Sequence, residues 1–361
     1  MLALGVRGVE SIMVQYQLKL QMTTVQQAEC ARWLYHLAAV WNWAVRKIEL
    51  NATDKIYFSR AEFRNLLAHH GEKLGIPSHT LQGILGTVYE AWQRSFQKRG
   101  GKPRLKGVRN KLNSIPFPDP IQTPQGRRVF LPGLGRIRFH KMDWPAGRIK
   151  CGRIVKRASG WYLCLFIAAE AKKIERIGSG VIGIDPGFAN LLTTSQGEVI
   201  EHPRELEGAK RRLAQAQRGH DVKLAARIQE RIGNRRKDRN HKLSRRLVAE
   251  NIVIYFSRDN LKGLAKRFGQ SVASSGHAQL RGMLAYKSPT SGTRYVEVDA
   301  KFSTMTCSVC GARSGPRGLG MLAVRQWTCA ECASFHNRDM NAAPNTLKAG
   351  AGSALEGHAQ V

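Results

Sequence analysis

"VIGIDPG", residues 181–187, is the stretch from which the fold can be read. Val181, Ile182 and Ile184 form a short apolar run, and the Pro-Gly pair behind them stops it. The run therefore reads as a buried strand ending at Asp185. A carboxylate at the end of a buried strand is costly unless it is paired or bound to a cation. Taken alone, Asp185 is as easily a turn-capping aspartate. What it does depends on what the rest of the chain sets beside it.

Downstream, "LLTTSQGEVIE" at 191–201 reads as the returning arm of a hairpin. Residues 204–250 form a long Arg-rich helical stretch, read as a hairpin broken near Gly219 or Gly233. A second apolar strand, 252–256, breaks into a polar turn. A helix near 276–286, the strand "TRYVEVDA", a Cys-rich insert and a short last helix complete the pattern. Hairpin, helix, strand, helix, strand, helix predicts an α/β arrangement on a mixed sheet. The tail from 349, "AGAGSALEGHAQV", is small and polar and is expected to be disordered.

Upstream, residues 14–21 alternate like a strand. Met13 directly precedes them, so residues 1–12 read as an extension outside the fold. A helix follows with Thr23 or Thr24 as N-cap, then a second helical region over 59–98. "KRGGKPRLKGVRNK", 98–111, reads either as a solvated loop or as a phosphate-contacting segment, and the chain's overall charge favours the second. From 113 to 170, short alternating runs separated by turn residues predict a small β-barrel that takes in the first strand.

The 361 residues suit two or three domains. Their 58 Lys+Arg against 26 Asp+Glu give a formal charge of +32. Such an excess concentrates polyanions, so nucleic acid is the expected partner. No basic amphipathic segment with a strong apolar face speaks for a membrane surface. No apolar run approaches the ~18–20 residues that span a bilayer. No signal-type apolar core is evident at the start. A cytoplasmic, reducing location and a monomer are the expectation.

Four of the seven cysteines are spaced Cys307-x2-Cys310, eighteen residues, Cys329-x2-Cys332. Each CxxC turn aims two thiolates at one ion, and two turns complete a closed tetrahedron. This predicts a structural zinc ribbon; two disulfides are the alternative, disfavoured in a reducing compartment. Gly311 supplies the tight turn behind the first pair, and Ala333 stands where a glycine would be easier behind the second. Cys30, Cys151 and Cys164 lie in apolar patterns and read as small buried hydrophobes.

The second notable acid is Asp339 in "FHNRDMNAAPN", 335–345, where alone it would be an N-cap. With the strand order, Asp185 and Asp339 suggest an RNase H-like site. In that chemistry clustered carboxylates hold two Mg²⁺ about 3.5–4 Å apart, one activating water and the other stabilising the leaving oxygen of a phosphodiester.

"VIGIDPG", the basic helical hairpin, "TRYVEVDAKFSTMTCSVCG", "CAEC" and "HNRDMNAA" together resemble the TnpB proteins of insertion sequences, relatives of the type V CRISPR effectors. The resemblance runs over nearly the whole chain. It implies a multidomain α+β fold: a β-barrel wedge with an inserted helical recognition domain, then an RNase H-like (RuvC-like) α/β nuclease domain with an inserted zinc ribbon. The implied boundaries are 1–22 for the extension and first wedge strand, 23–112 for recognition and 113–172 for the wedge barrel. The nuclease takes 173–303, with the basic hairpin at 204–250; the ribbon takes 304–335, the last nuclease helix 336–348 and the tail 349–361. The implied function is an RNA-guided DNA endonuclease of a transposable element. A guide RNA pairs with double-stranded target DNA beside a short motif, and the protein holds the RNA–DNA heteroduplex by its backbone and shape. The implied cofactors are structural Zn and catalytic Mg.

The family's first acid falls on Asp185 and its last on Asp339. Its middle acid is a glutamate in a pattern like "IVIEDLNVKGL", where this chain has "IVIYFSRDNLKGL". Aligning the strand puts Tyr255 at the glutamate; aligning "NLKGL" puts Ser257 there. Three accounts stay open. Asp259 replaces the ligand by relocation, or caps a turn. Glu250, at the opposite end of the strand, takes the role. Or the acid is lost, leaving a cleavage-deficient RNA-guided DNA-binding protein or repressor. The endonuclease with a rearranged site is the leading expectation.

Overall fold

The computed structural model describes residues 11–124, 126–140, 147–170, 173–203, 205–258, 261–299, 301–321 and 323–356. The chain divides into two compact units, Met1–Ala171 and Lys172–Val361.

In the first unit, strand β1 (Ser11–Gln21) is followed by helices α1 (Thr24–Thr53), α2 (Arg60–Asn65), α3 (Gly71–Leu74) and α4 (Ser78–Phe96). Strands β2 (Ser114–Phe117), β3 (Arg128–Leu131), β4 (Gly135–Phe139), β5 (Arg148–Arg157) and β6 (Gly160–Glu170) complete it. Thr23 is the N-cap of α1, in a reciprocal capping box with Gln26. The sheet order is β2-β5-β6-β1-β4-β3. The end strands β2 and β3 do not pair with each other among the described residues, so the expected barrel is an open ladder here. Ser11 and Ile12 pair with Glu170 and Ala169, so the fold begins before Met13 and the expected extension is shorter than 1–12. The strand continues because β6 is long enough to offer those residues a ladder. Leu18, Trp33, Leu37, Leu81, Leu85, Ile154 and Leu163 share one core. Gly133, at φ +76°, turns β3 into β4 where a Cβ would meet the Trp33 ring at 2.7 Å.

The second unit opens with β7 (Gly180–Pro186), β8 (Asn190–Thr194) and β9 (Val199–Glu201). Helices α5 (Glu205–Arg218) and α6 (Val222–Glu250) form the basic hairpin. It breaks at Gly219, where Asp221 caps α6 by accepting from the Leu224 amide at 2.9 Å; Gly233 lies inside α6. Strand β10 (Asn251–Arg258), helices α7 (Leu261–Ser275) and α8 (His277–Ser291), and strand β11 (Arg294–Asp299) follow. The short pair β12 (Gln326–Thr328) and β13 (Phe335–Asn337) then leads into α9 (Arg338–Glu356).

The five-stranded order is β11-β10-β7-β8-β9, parallel from β11 to β7 and antiparallel beyond, as the element order predicted. On one face Ile182, Ile184, Ile254 and Phe256 pack with Leu243, Leu247 and Val248 of α6 and Leu280 and Leu284 of α8. On the other face lies α9. A Cβ at Gly183 would stand 2.5 Å from the Ala343 carbonyl and the Leu347 amide. Gly350 of the same helix sits directly on the Tyr255 ring. That seat explains why α9 runs to Glu356 and the segment 349–356 is helical, against the expectation of disorder. Helix α7 was not expected; Leu264, Phe268 and Val272 have helical spacing, but Gly263 and Gly269 obscure it.

Candidate metal centres and nucleic-acid surface

The four ribbon cysteines converge. Their Sγ atoms all lie within 4.8 Å of one another, with Cys307–Cys332 at 3.7 Å and Cys310–Cys329 at 3.6 Å. A disulfide needs about 2.05 Å between sulfurs. A tetrahedral ion with bonds of about 2.3 Å to sulfur sets its ligand edges near 3.8 Å. The spacing is therefore compatible with structural zinc and longer than a disulfide. The two turns are alike: the Gly311 amide donates to Cys307 O at 2.9 Å and the Ala333 amide to Cys329 O at 3.0 Å. Both turn residues have positive φ, +82° and +55°, so Ala333 does adopt the conformation that a glycine would take more easily.

Outer groups favour charge on the sulfurs. The Ser314 hydroxyl donates to Cys329 at 3.2 Å and brings that thiol down to about 6. The Ser334 hydroxyl and amide lower Cys332. At Cys310 the Ala312 amide lowers the thiol, but the neighbouring sulfurs outweigh it and push Cys310 up to about 12. Four thiolates cannot share this space unless a cation compensates them. His336 was not singled out from the sequence. Its Nε2 stands 3.0 Å from Cys307 Sγ. Cys30 and Cys164 are buried as expected, and Cys151 is half-buried.

Register assembles the second cluster. Gly183 pairs with Tyr255, and both face α9. Side chains alternate along a strand, so two residues on, Asp185 faces α9 as well. Thr193 of β8 is its ladder partner on one side. On the other side the ladder pairs Ile184 with Phe256, and its next step sets Ser257 beside Asp185. Ser257 is 1% exposed, and its hydroxyl has no hydrogen-bond partner among the described residues. Tyr255 lies one pleat deeper, under Gly350.

Helix α9 brings Asp339 to this end. Asn337 is its N-cap: its Oδ1 accepts from the Asp339 and Met340 amides at 3.1 and 3.3 Å, so the Asp339 carboxylate is not used in capping. Arg325 lies 3.3 Å from Asp339. Burial lowers the Arg338 guanidinium, as does Arg325, while Asp339 and Asp185 together raise it. Both acids thus act on one buried arginine. Glu250 lies at the other end of β10, at the close of α6, 3.9 Å from Arg246. Asp259 lies outside the described residues.

Basic groups gather on each unit. In the first, the 98–111 run is fastened rather than free: Trp41 Nε1 donates to Arg104 O at 3.0 Å, and Asn42 exchanges two bonds with Lys106, at 2.6 and 2.9 Å. The Lys106 ammonium sits 4.5 Å from the centre of the Trp41 ring. In the second, Arg235, Arg236, Arg239, Lys242 and Arg246 line a cavity of about 420 Å³ with a single acid, Asp238, among them. Burial lowers nearby His202, and Arg239 and Lys210 lower it further. Among the described residues no helix is long and apolar enough to cross a membrane.

The Cas12f1-like, TNB domain family matches residues 277–346. A protein of Streptomyces pristinaespiralis named "Putative RNA-guided DNA endonuclease" is 31% identical over 295 residues, covering 76% of this chain and 72% of its own length. The chain belongs to the TnpB family. A TnpB-like protein of Acanthamoeba polyphaga mimivirus, L79, is 26% identical over 196 residues, 46% of this chain and 37% of that protein. In fold, this TnpB-family chain is similar to Cas12f1 in a cryo-EM structure of a Cas12f1-sgRNA-target DNA complex. That match has a TM-score of 0.55 at 11% identity and covers 94% of this chain and 99% of the other.

Proposed function

We propose that this TnpB-family chain is an RNA-guided DNA-binding protein whose RuvC-like centre has lost its middle acid and cuts DNA slowly or not at all. The observation that carries this reading is Ser257, buried with an unpartnered hydroxyl at the ladder position beside Asp185. A carboxylate there would complete the acid cluster for Mg²⁺. A serine hydroxyl is neutral and compensates no divalent charge. Asp185 and Asp339 would hold Mg²⁺, which when bound supplies Lewis-acid stabilisation of a phosphodiester in hydrolysis. Arg325, 3.3 Å from Asp339, already offsets part of their charge.

The first unit would serve as wedge and recognition domain and the second as nuclease scaffold with its ribbon. The basic run on α1 and the Arg-lined cavity on α6 would contact phosphates of guide RNA and of the heteroduplex, with base pairing supplying sequence. A test is to purify the protein with the RNA it retains, sequence that RNA, and measure binding of matched DNA. Tight binding of the matched duplex, lost after ribonuclease treatment, is the expected result. Equal binding of unrelated duplex would sink the guided reading.

The retention of both outer acids around Arg338 favours a second reading, cleavage through a relocated ligand, with Asp259 as that ligand. Asp259→Ala separates the two. It abolishes cutting under the second reading and changes nothing under the first.

A further inference from the structure

The His336 ring lies against the cysteine cluster, and CxxC spacing alone does not call for it. It sits on β13, opposite Trp327 of β12, with the two rings 4.6 Å apart, and it is 7% exposed. Its Nε2 is 3.0 Å from Cys307 Sγ. Two roles are open to such an atom. As a fellow ligand on a tetrahedral ion, with bonds of about 2.3 Å to sulfur and about 2.0–2.1 Å to nitrogen, it would stand roughly 3.5 Å from that sulfur. An N–H directed at the sulfur is the other role, and the choice between them rests on the cysteine set rather than on this distance. The four sulfurs already furnish a complete ligand set.

We propose that His336 is a positioning residue of the zinc centre, its ring donating Nε2–H to Cys307 Sγ, and that it ties the ribbon to the start of α9. Only Asn337 and Arg338 separate His336 from Asp339. Behind Asp339, α9 grips the first cysteine turn again. Asn341 Oδ1 accepts from the Ser308 amide at 2.8 Å, and the Asn341 and Asn345 amides donate to Thr306 O at 2.7 and 2.6 Å. Asp339 is therefore held between two attachments to the same ribbon. An outer donor of this kind fixes a ligand's orientation and spreads its charge, and its loss typically costs about 10–100-fold in metal affinity.

The test uses the full-length protein loaded with zinc, and with cobalt(II) as a spectroscopic stand-in. X-ray absorption at the zinc edge should show four sulfurs and no nitrogen, and the thiolate-to-cobalt charge-transfer bands should match four thiolates. In His336→Phe, which keeps a ring against Trp327, the cobalt spectrum should retain four thiolates. Zinc transfer to a chelator should be faster by about ten-fold or more. His336→Gln, which keeps an N–H, should recover most of that loss. A nitrogen in the zinc shell of the unaltered protein would make His336 a ligand and overturn the proposal. So would a His336→Phe protein that yields its zinc at the unaltered rate. The absorption spectrum of the unaltered protein decides the matter even where His336→Phe does not fold. A protein that takes up neither metal would remove the zinc reading, and this proposal with it.

Discussion

The ribbon and the strand ends around Asp185 are both candidate metal sites, and they differ in completeness. In the ribbon four thiols stand on two nearly identical turns, with Ser314, Ser334 and His336 around them. At the strand ends Asp185 and Asp339 come from a strand and a helix far apart in sequence, and Ser257 stands on the strand beside Asp185. Two turns of local geometry build the first cluster, so it survives or fails as a block. Strand register and helix packing build the second, so one residue can be lost while the scaffold stays intact.

The largest expected effect lies in the ribbon. Zinc removal by chelation, or Cys329→Ser, should release the first cysteine turn and with it the clamps from Asn341 and Asn345. Structural zinc sites contribute about 10 kcal/mol or more of apparent binding energy to their folded state. A thermal scan alongside metal analysis checks this, and an unchanged Tm after complete zinc loss would break the comparison.

Acid should act on the sheet side. His277 donates from Nε2 to Leu191 O at 3.0 Å, and burial brings its imidazole down to about 4. In the unfolded chain it titrates near 6.5. The unfolded state therefore binds more protons between those values, and stability falls as pH drops from about 6.5 through 4. The shift corresponds to about 3 kcal/mol. His277→Gln keeps a donor and removes the titration, so the variant should lose less stability than the parent across that window. Parallel acid curves for the two would contradict the assignment.

Gly183→Ala tests how closely α9 must approach. The added Cβ meets two backbone atoms of α9 at 2.5 Å, which neither can yield cheaply. Overpacking of this kind costs about 1–3 kcal/mol, and denaturant unfolding should show it. The smallest effect is the control in α5. Gly208 has open space around its Cβ position, so Gly208→Ala should stabilise by about 0.5–1 kcal/mol through helix propensity alone. A destabilised Gly208→Ala protein would show that the basic hairpin is packed in a way its exposure does not suggest.

Much of this was legible in the sequence, for identifiable reasons. CxxC spacing is local, so the ribbon could be read without a fold. The element order gave the mixed sheet because apolar strands and an Arg-rich helical hairpin differ in period. The position of Ser257 was not readable. Two alignments competed, Tyr255 and Ser257 share one face of the strand, and only the pairing of Gly183 with Tyr255 sets Ser257 level with Asp185. The helical end of α9 was hidden because Gly350, which reads as a breaker, is the residue that lets the helix rest on Tyr255. His336 was overlooked because its partner, Cys307, is brought to it by the ribbon's closure across 29 positions.

Whether Ser257 occupies the place of a metal-binding acid decides if this chain cuts. It is tested most directly by measuring Mg²⁺-dependent cleavage of guide-matched plasmid by the unaltered protein and by Ser257→Glu, each with its retained RNA. Both should bind the target, and Ser257→Glu should cut at least ~100-fold faster, about 2.7 kcal/mol of barrier. An unaltered protein that cuts readily, with Ser257→Glu no faster, would contradict that place for Ser257.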